Sequence, residues 1–223
     1  MQKPKLIAIT HPLLEEMSPE EYIAYVARIS NPDNQMNHET SPRLLAFLIR
    51  QSHWSPFDMV DMTVDIETSK AIAIQLLRHW SFRFQEFSQR YAVVSNLDFS
   101  HVEIRNKAVG GNRQGSADVD SMKTDEAIMS CYESQAAYSN LIVSGAAAES
   151  ARMVLPMATL SRLHMKGSVR SWMTYFWQRL DPHAQKEHRE LAYGIFEIFE
   201  QNFPVIAQLL KTHKPQVVET EWL

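Results

Sequence analysis

Apolar and polar side chains alternate between residues 60 and 67. The apolar positions are Val60, Met62, Val64 and Ile66, and the polar positions between them are Asp61, Thr63, Asp65 and Glu67. A period of two places alternate side chains on opposite faces of an extended strand. The pattern therefore predicts a half-exposed, antiparallel strand over this segment.

Most of the remaining chain has the apolar period or the end signals of helices. Ser18, Pro19 and Glu21 form the pattern of a capping box, in which a serine and a glutamate satisfy the first backbone N–H groups. The predicted helices run from Ser18 towards Arg28, from Ser41 to about His53, from Thr68 or Ser69 to Arg78, from Asp125 to the alanine run 146–148, from Arg170 to Arg179, and from Asp181 to about Pro204.

Two segments are less regular. Residues 98–123 have no clear period, and Gly110-Gly111-Asn112 indicates a turn, so a short hairpin or an irregular loop is expected there. Residues 163–168 are expected to form a strand or a turn. The balance predicts an α+β fold, a single helix-rich domain over residues 1–223 with a modest, mainly antiparallel sheet.

Composition narrows the class of protein. Hydrophobic residues make up 45% and charged residues 22% of the 223 positions, which is usual for a globular protein with a full core. Since no apolar run of about 18 residues and no export signal is evident, we expect a cytoplasmic protein with no membrane contact. The single cysteine and the histidine spacing predict no metal site. A net charge of −4 argues against nucleic acid as a partner.

Candidate chemistry is concentrated in residues 78–91. This segment holds three arginines, a histidine, a glutamate, two serines and five aromatic residues. Arginine grips phosphate with a planar fork of donors, and aromatic faces stack on flat heterocycles. The segment follows a predicted helix, so these side chains are expected at a helix end and in the loop after it, where they would suit a nucleotide-like ligand.

The spacing within this segment also resembles a known family. Arg78-His79-Trp80, seven further residues and Ser88 are similar to the Arg-His-Arg-(seven residues)-Ser signature of the flavin-dependent thymidylate synthase (ThyX) family, and Glu86-Phe87-Ser88-Gln89-Arg90-Tyr91 is similar to its continuation. Four more blocks resemble the family in the same order along the chain: 27–30, 53–57, 151–156 and 179–187. Five ordered matches are far more specific than one short motif.

The resemblance implies a ThyX-like fold and a set of nucleotide ligands. In the family the matching residues surround deoxyuridine monophosphate (dUMP), and they are Gln75, Arg78, Glu86, Ser88, Arg90, Arg152 and Arg179. Ser88 and Arg179 are implied to be catalytic. A cation at Arg179 would stabilise negative charge that develops on the uracil ring.

A second implied set lies near the flavin. It comprises Ser30, His53, Arg78, His79, Trp80, Glu86, Tyr91, Ser168, Arg170 and Thr174. Three of these depart from the family pattern, since Trp80 replaces an arginine and Ser168 and Thr174 replace asparagines.

By resemblance, the expected activity is the reductive methylation of dUMP to thymidine monophosphate (dTMP). Methylenetetrahydrofolate would supply the carbon, NADPH would reduce a bound FAD, and a homotetramer would share active sites between subunits. Two alternatives stay open. One is a flavin- or nucleotide-binding homologue without methyl transfer, and the other is a single-stranded nucleic-acid-binding protein, for which interleaved arginines and aromatics are also suited.

Overall fold

The computed structural model describes residues 3–14, 17–93, 99, 102–108 and 115–212. Within these residues the helices are α1 (Pro19–Ala27), α2 (Ser41–Arg50), α3 (Lys70–Leu77), α4 (Ser121–Val143), α5 (Ala148–Ala151), α6 (Val169–Arg179), α7 (Lys186–Asn202) and α8 (Pro204–Thr212). The strands are β1 (Lys5–Ile9), β2 (Asp61–Ser69), β3 (Arg83–Glu86), β4 (Arg105–Lys107), β5 (Ser116–Val119) and β6 (Leu160–Ser168).

The strands form a four-stranded sheet in the order β1-β2-β6-β3 and a two-stranded sheet of β4 and β5. Hydrogen bonds from Lys70 N to Thr159 O (2.9 Å) and from Val169 N to Val60 O (2.8 Å) join opposite ends of β2 and β6, so this central pair is antiparallel. β4 and β5 also pair antiparallel. The predicted α+β class with a modest antiparallel sheet is confirmed.

Strand β2 has the alternation that its sequence predicts. Met62, Val64 and Ile66 are fully buried, whereas the polar positions between them are half-exposed. The hydrophobic effect therefore fixes which face of this strand meets the core.

The chain divides into two compact units, and β2 and β6 each contribute residues to both. The first unit contains the described residues of Asp65–Met165 and Pro182–His188. The second contains the described residues of Lys5–Val64 and Lys166–Asp181, and those from Arg189 onward. The expected single domain over residues 1–223 stays a prediction.

The core of the second unit is aromatic. Trp172 on α6 is fully buried, and its indole N–H donates to the carbonyl of Met62 at 3.0 Å. Phe176 meets Phe199 edge-on with ring centroids 5.1 Å apart, and Phe199 lies 4.8 Å from Phe203. Contacts between large buried rings fix α6 against α7 and against Phe203, the residue before α8.

The C-terminal helices differ from the sequence prediction. Helix α7 begins at Lys186 after a turn at residues 181–184, so the start predicted at Asp181 is wrong. The predicted end near Pro204 is confirmed, since α7 ends at Asn202, but α7 is not the last helix, because α8 begins at Pro204, where a proline needs no backbone N–H. The carboxylate of Glu20, which is almost fully buried, accepts hydrogen bonds from the backbone N–H groups of Val205 (3.2 Å) and Ile206 (2.7 Å) and so caps this helix.

The long helix of the first unit also differs at its ends. Asp120 caps α4, which begins four residues before the predicted Asp125, and the helix ends at Val143 instead of reaching the alanine run. Gly145 has φ 92°, a left-handed conformation that glycine adopts without strain and that ends the helix. The expected hairpin within 98–123 is present as β4 and β5, while the turn predicted at 110–112 lies outside the described residues.

Candidate active site

Helix α3 carries two of the predicted nucleotide ligands on its last turn. Ser69 caps the helix through its hydroxyl oxygen, which accepts from Ile72 N at 3.3 Å, so one of the two predicted cap positions is confirmed. Arg78 is the C-cap residue. Its side chain is exposed and makes no hydrogen bond within the described part of the chain, so its guanidinium donors are available to a ligand.

Gln75, one turn earlier, has its amide group held on both sides. Its Nε2 donates to Gln185 Oε1 at 2.6 Å, and its Oε1 lies 3.0 Å from Nδ1 of the buried His188. Since an amide oxygen only accepts, this contact needs the imidazole hydrogen on Nδ1. Gln185, just before α7, and His188, in its first turn, thus orient the Gln75 amide.

A network of charges anchors the segment that holds Gln75. Gln185 Nε2 donates to Glu187 Oε2 at 2.9 Å, and Arg105 on β4 pairs with Glu187 Oε1 at 2.7 Å and with Glu103 Oε1 at 3.0 Å. Lys186 also binds Glu103. Burial alone would raise the pKa of the Glu187 carboxyl, but hydrogen bonds from its own backbone N–H, from Arg105 and from Gln185 lower it below its ordinary value.

Glu86 lies at the end of β3, where its carboxylate is fixed by two side chains. Its Oε1 accepts from Lys70 Nζ at 2.7 Å and from Ser161 Oγ at 2.8 Å. Only 18% of the Glu86 side chain is exposed. The neighbouring Phe87 N donates to Arg162 O on β6 at 2.8 Å, which holds the end of β3 beside β6.

The residues after β3 form a tight turn. The carbonyl of Ser88 accepts from the N–H groups of Tyr91 (3.3 Å) and Ala92 (3.1 Å), and its hydroxyl oxygen accepts from Arg90 N at 3.3 Å. The Arg90 guanidinium lies 5.3 Å from the centre of the Tyr91 ring. The turn thus places a hydroxyl, a guanidinium and an exposed ring within a few residues of each other.

Arg90 and Arg152 meet at one residue. The Nε of Arg90 donates to the carboxylate of Glu149 at 3.0 Å, and the Nε of Arg152 donates to the Glu149 backbone carbonyl at 3.2 Å. Both arginines are exposed. Two cations that the sequence separates by 62 positions therefore contact the same residue, and a pair of guanidinium groups suits a phosphate.

His79 and Trp80 lie in the turn between α3 and β3. The His79 ring is edge-on to Phe82 and to His188, with ring centroids 6.2 Å apart in each case. The Trp80 side chain is 88% exposed, and Tyr91 is 81% exposed. Two large exposed rings in one unit offer flat surfaces for a planar ligand.

In the second unit, Asp58 gathers two predicted flavin residues. Its Oδ1 accepts from Ser168 Oγ at 2.8 Å, and its Oδ2 accepts from Arg170 Nη1 at 3.0 Å. Ser168 also caps α6, with its hydroxyl oxygen accepting from Ser171 N at 3.3 Å. The Thr174 hydroxyl donates to the carbonyl of Arg170 at 3.1 Å and is exposed.

Three further predicted site residues also lie in the second unit. Ser30 is exposed after α1, and His53 is exposed after α2, edge-on to Phe47. Arg179 is the last residue of α6, near Tyr175. Burial raises the pKa of the Tyr175 hydroxyl, and the charge of Arg179 partly opposes that rise.

Sequence reasoning missed the residues that hold the site residues in place. They are Lys70, Ser161, Glu149, Asp58 and His188. Glu149 lies three positions before Arg152, which is a helical spacing that could have indicated a contact. Lys70 and Ser161 have no local signal, because each meets Glu86 only through the tertiary fold.

Two features are absent from the part of the chain that the structure describes. No group of three or more histidine, cysteine, aspartate or glutamate side chains there is arranged to hold a metal ion. None of the described helices has the length and apolar content that crossing a lipid bilayer requires.

Comparison with known proteins places this architecture in a class. Residues 12–205 match the family model described as "Thymidylate synthase complementing protein". A crystal structure of the UMP/dUMP methylase PolB from Streptomyces cacaoi bound with 5-Br dUMP has the same fold, with a TM-score of 0.79 over 94% of both chains at 23% sequence identity.

Closer relatives define the family. The chain is 44% identical to a flavin-dependent thymidylate synthase of a Synechocystis species over 93% of this chain and 98% of the relative. It is 40% identical to a probable flavin-dependent thymidylate synthase of Paramecium bursaria Chlorella virus 1 over 92% and 97%. The chain belongs to the family of flavin-dependent thymidylate synthases.

Proposed function

We propose that this protein catalyses the reductive methylation of dUMP to dTMP, with methylenetetrahydrofolate as carbon donor, NADPH as reductant and FAD as cofactor. The observation that carries the proposal is that Arg90 and Arg152 both contact Glu149, because it gives a family member a pair of cations suited to a nucleotide phosphate. The Ser88 hydroxyl, two residues from Arg90, is the third phosphate ligand in this proposal.

The uracil ring and the sugar of dUMP present N–H and O–H donors and carbonyl acceptors, so they need both acceptor and donor side chains. The fixed amide of Gln75 offers a donor and an acceptor to a polar edge, and Glu86 offers an acceptor. Arg78 adds guanidinium donors at the helix end that have no hydrogen-bond partner among the described residues. Arg179 is proposed to stabilise negative charge on the uracil ring and so to promote carbon–carbon bond formation.

The residues expected to bind FAD have donors that suit it. FAD held by these residues would supply the redox chemistry that the transfer of a hydride and of a one-carbon unit requires. In the first unit the exposed rings of Trp80 and Tyr91 suit its flat heterocycles, with His79 and the shared residues Arg78 and Glu86 nearby in sequence. In the second unit the polar candidates are Ser30, His53, Ser168, Arg170 and Thr174. The Ser168 hydroxyl already binds Asp58 and the α6 backbone, so its contribution is to position Arg170 and the helix start.

A homotetramer with shared active sites completes the proposal. Helix α4 supports it, because Met129, Tyr132 and Val143 are more than half exposed along its length. Exposed apolar side chains on one long helix favour burial against another subunit. Location in the cytoplasm also stays a prediction.

Anaerobic incubation of the purified protein with dUMP, methylenetetrahydrofolate and NADPH tests the function directly. We expect dTMP to form in proportion to enzyme, and an oxidised-flavin absorbance band in the protein before the reaction. A protein that binds flavin and dUMP but yields no dTMP would instead be the homologue without methyl transfer. The Arg90→Ala variant is the negative control for nucleotide dependence.

A further inference from the structure

The Glu86 carboxylate is fixed through one of its two oxygens. Oε1 accepts both hydrogen bonds, from the ammonium group of Lys70 at 2.7 Å and from the hydroxyl of Ser161 at 2.8 Å. Oε2 makes no hydrogen bond to any residue in the ranges that the structure describes. An ionised carboxylate has acceptor sites on both oxygens, so half of its capacity is left for a ligand.

The two partners are themselves well placed to hold the group still. Ser161 lies on β6 and is almost fully buried, and Lys70 is the first residue of α3, with its backbone N–H bonded to Thr159 O. A charge-assisted hydrogen bond from an ammonium group is about twice as strong as a neutral one. Hydrogen bonds from strand β6 and from helix α3 therefore restrict the rotation of the Glu86 carboxylate.

A second carboxylate in the first unit shows a different arrangement. Asp65 on β2 is bound by Arg162 on β6 through both oxygens, with Nε at 2.9 Å from Oδ1 and Nη2 at 2.8 Å from Oδ2. This pair occupies both oxygens of Asp65 and joins two strands, and Nε2 of His164 on β6 lies 3.5 Å from Oδ1 of the same carboxylate. Within the part of the chain that the structure describes, the Lys70 pair differs in leaving Oε2 of Glu86 open to a ligand.

We propose that Lys70 and Ser161 are positioning residues that fix Glu86 so that Oε2 accepts a hydrogen bond from an N–H or O–H group of the bound nucleotide. The proposal rests on the proposed function, because it takes dUMP as the ligand. Neither Lys70 nor Ser161 touches the nucleotide. Each acts by limiting the orientations of the acceptor before the ligand arrives, which lowers the entropy that binding must remove.

The test compares four variants of the full-length protein with bound FAD. Calorimetry with dUMP gives affinity, steady-state kinetics give kcat and KM, and thermal denaturation reports folding. We expect Lys70→Met to weaken dUMP binding about tenfold and Ser161→Ala about threefold, since each loses one hydrogen bond that orients the acceptor. We expect Lys70→Arg to recover most of the affinity, because it restores a cationic donor.

Kinetics distinguish positioning from general damage. Loss of a contact that is equal in the ground state and the transition state raises KM for dUMP and leaves kcat nearly unchanged. Arg162→Met is the matched control, because it removes an ion pair in the same unit without touching Glu86, and we expect its affinity for dUMP to equal that of the wild type.

Two nucleotide analogues identify the donor. If 3-methyl-dUMP binds more weakly than dUMP, and if Lys70→Met does not weaken its binding further, the uracil N–H is the group that donates a hydrogen bond to Oε2. If instead a 3′-deoxy analogue binds more weakly than dUMP, and Lys70→Met does not weaken its binding further, the donor is the sugar hydroxyl.

Three results would overturn the proposal. Wild-type affinity for dUMP in a folded Lys70→Met protein would remove Lys70 from the site, and the proposed function would stand. Equal losses in Lys70→Met and Arg162→Met would show that both pairs only stabilise the sheet. Absence of dUMP binding by the wild type would overturn the proposed function and this inference with it.

Discussion

Two carboxylates of the first unit meet cations in opposite ways. Glu86 is mostly buried, and Lys70 and Ser161 hold one of its oxygens from ordered elements. Glu149 is 53% exposed at a short helix, and it meets Arg90, which is 56% exposed in a turn. The first arrangement is rigid before any ligand binds, whereas the second is an exposed ion pair that solvent and other anions can replace.

The difference matches two tasks. An acceptor that reads a nucleoside needs a fixed direction, so a buried and doubly bound carboxylate suits it. A phosphate must displace whatever anion the arginine already holds. An exposed ion pair contributes only about 0–1 kcal/mol, so replacing Glu149 by a doubly charged phosphate as the partner of Arg90 costs little free energy.

The largest expected effect comes from removing the exchangeable cations. Arg90→Ala or Arg152→Ala is expected to weaken dUMP binding by about tenfold to a hundredfold, since a charge-assisted phosphate contact contributes about 1.5–3 kcal/mol. Calorimetry measures the affinity and thermal denaturation controls for folding. Arg43→Ala, which removes an exposed arginine of α2, is the matched control. Unchanged affinity in both variants would remove the two arginines from the site.

A smaller effect of opposite sign is expected at Glu149. Glu149→Gln removes the charge that competes with phosphate for Arg90, so the affinity for dUMP should rise about threefold to fivefold. The gain should shrink as ionic strength rises, because salt already screens the exposed pair. Weaker binding in this variant would mean instead that Glu149 holds Arg90 in its binding position.

The pH dependence of the free energy of unfolding tests a further, partly buried carboxylate, Glu187, which belongs to the network that anchors Gln75. The Glu187 carboxyl has a lowered pKa in the folded protein, so its contribution to stability is complete above its unfolded value and is lost as pH falls through the folded value. Chemical denaturation between about pH 6 and pH 3 should therefore show a shallower loss of stability in Glu187→Gln than in the wild type. Identical slopes would indicate that the network around Arg105 does not stabilise the charged carboxylate.

The smallest effect is expected at Cys131. The thiol is buried on α4, and burial raises its pKa, so it is a poor nucleophile. Cys131→Ala should fold and keep most of its activity, because the flavin and not a protein thiolate provides the chemistry. Normal binding of FAD and dUMP without any dTMP formation in this variant would contradict that view.

The sequence predicts those parts of the structure that short segments encode. The capping box at Ser18 and the cap at Ser69 are present as expected, because each depends on neighbours within three residues. The alternation in β2 is also confirmed. Strand β3 is not predicted, because a segment of four residues with a charged residue at each end is too short to show an alternation of apolar and polar positions.

In the candidate site, too, the sequence predicts what short segments encode and misses contacts between distant segments. Motifs indicated Glu86 and Arg90, but Ser161 lies 75 residues from Glu86 along the chain, and Glu149 lies 59 residues from Arg90. Contacts of that separation depend on strand order and helix ends, which no local pattern contains. The sequence therefore indicates the side chains that would touch a ligand, and the structure adds those that hold them.

A crystal structure of the dUMP-bound protein tests the central claim most directly. We predict that Lys70 Nζ stays within hydrogen-bond distance of Glu86 Oε1, as at 2.7 Å in the present structure, with Oε2 bonded to the nucleotide. We also predict that Arg90 Nε leaves the Glu149 carboxylate, now at 3.0 Å, and binds the phosphate. A complex in which the Arg90–Glu149 pair stays intact, and in which Glu86 turns away from Lys70 to meet the nucleotide, would contradict the account.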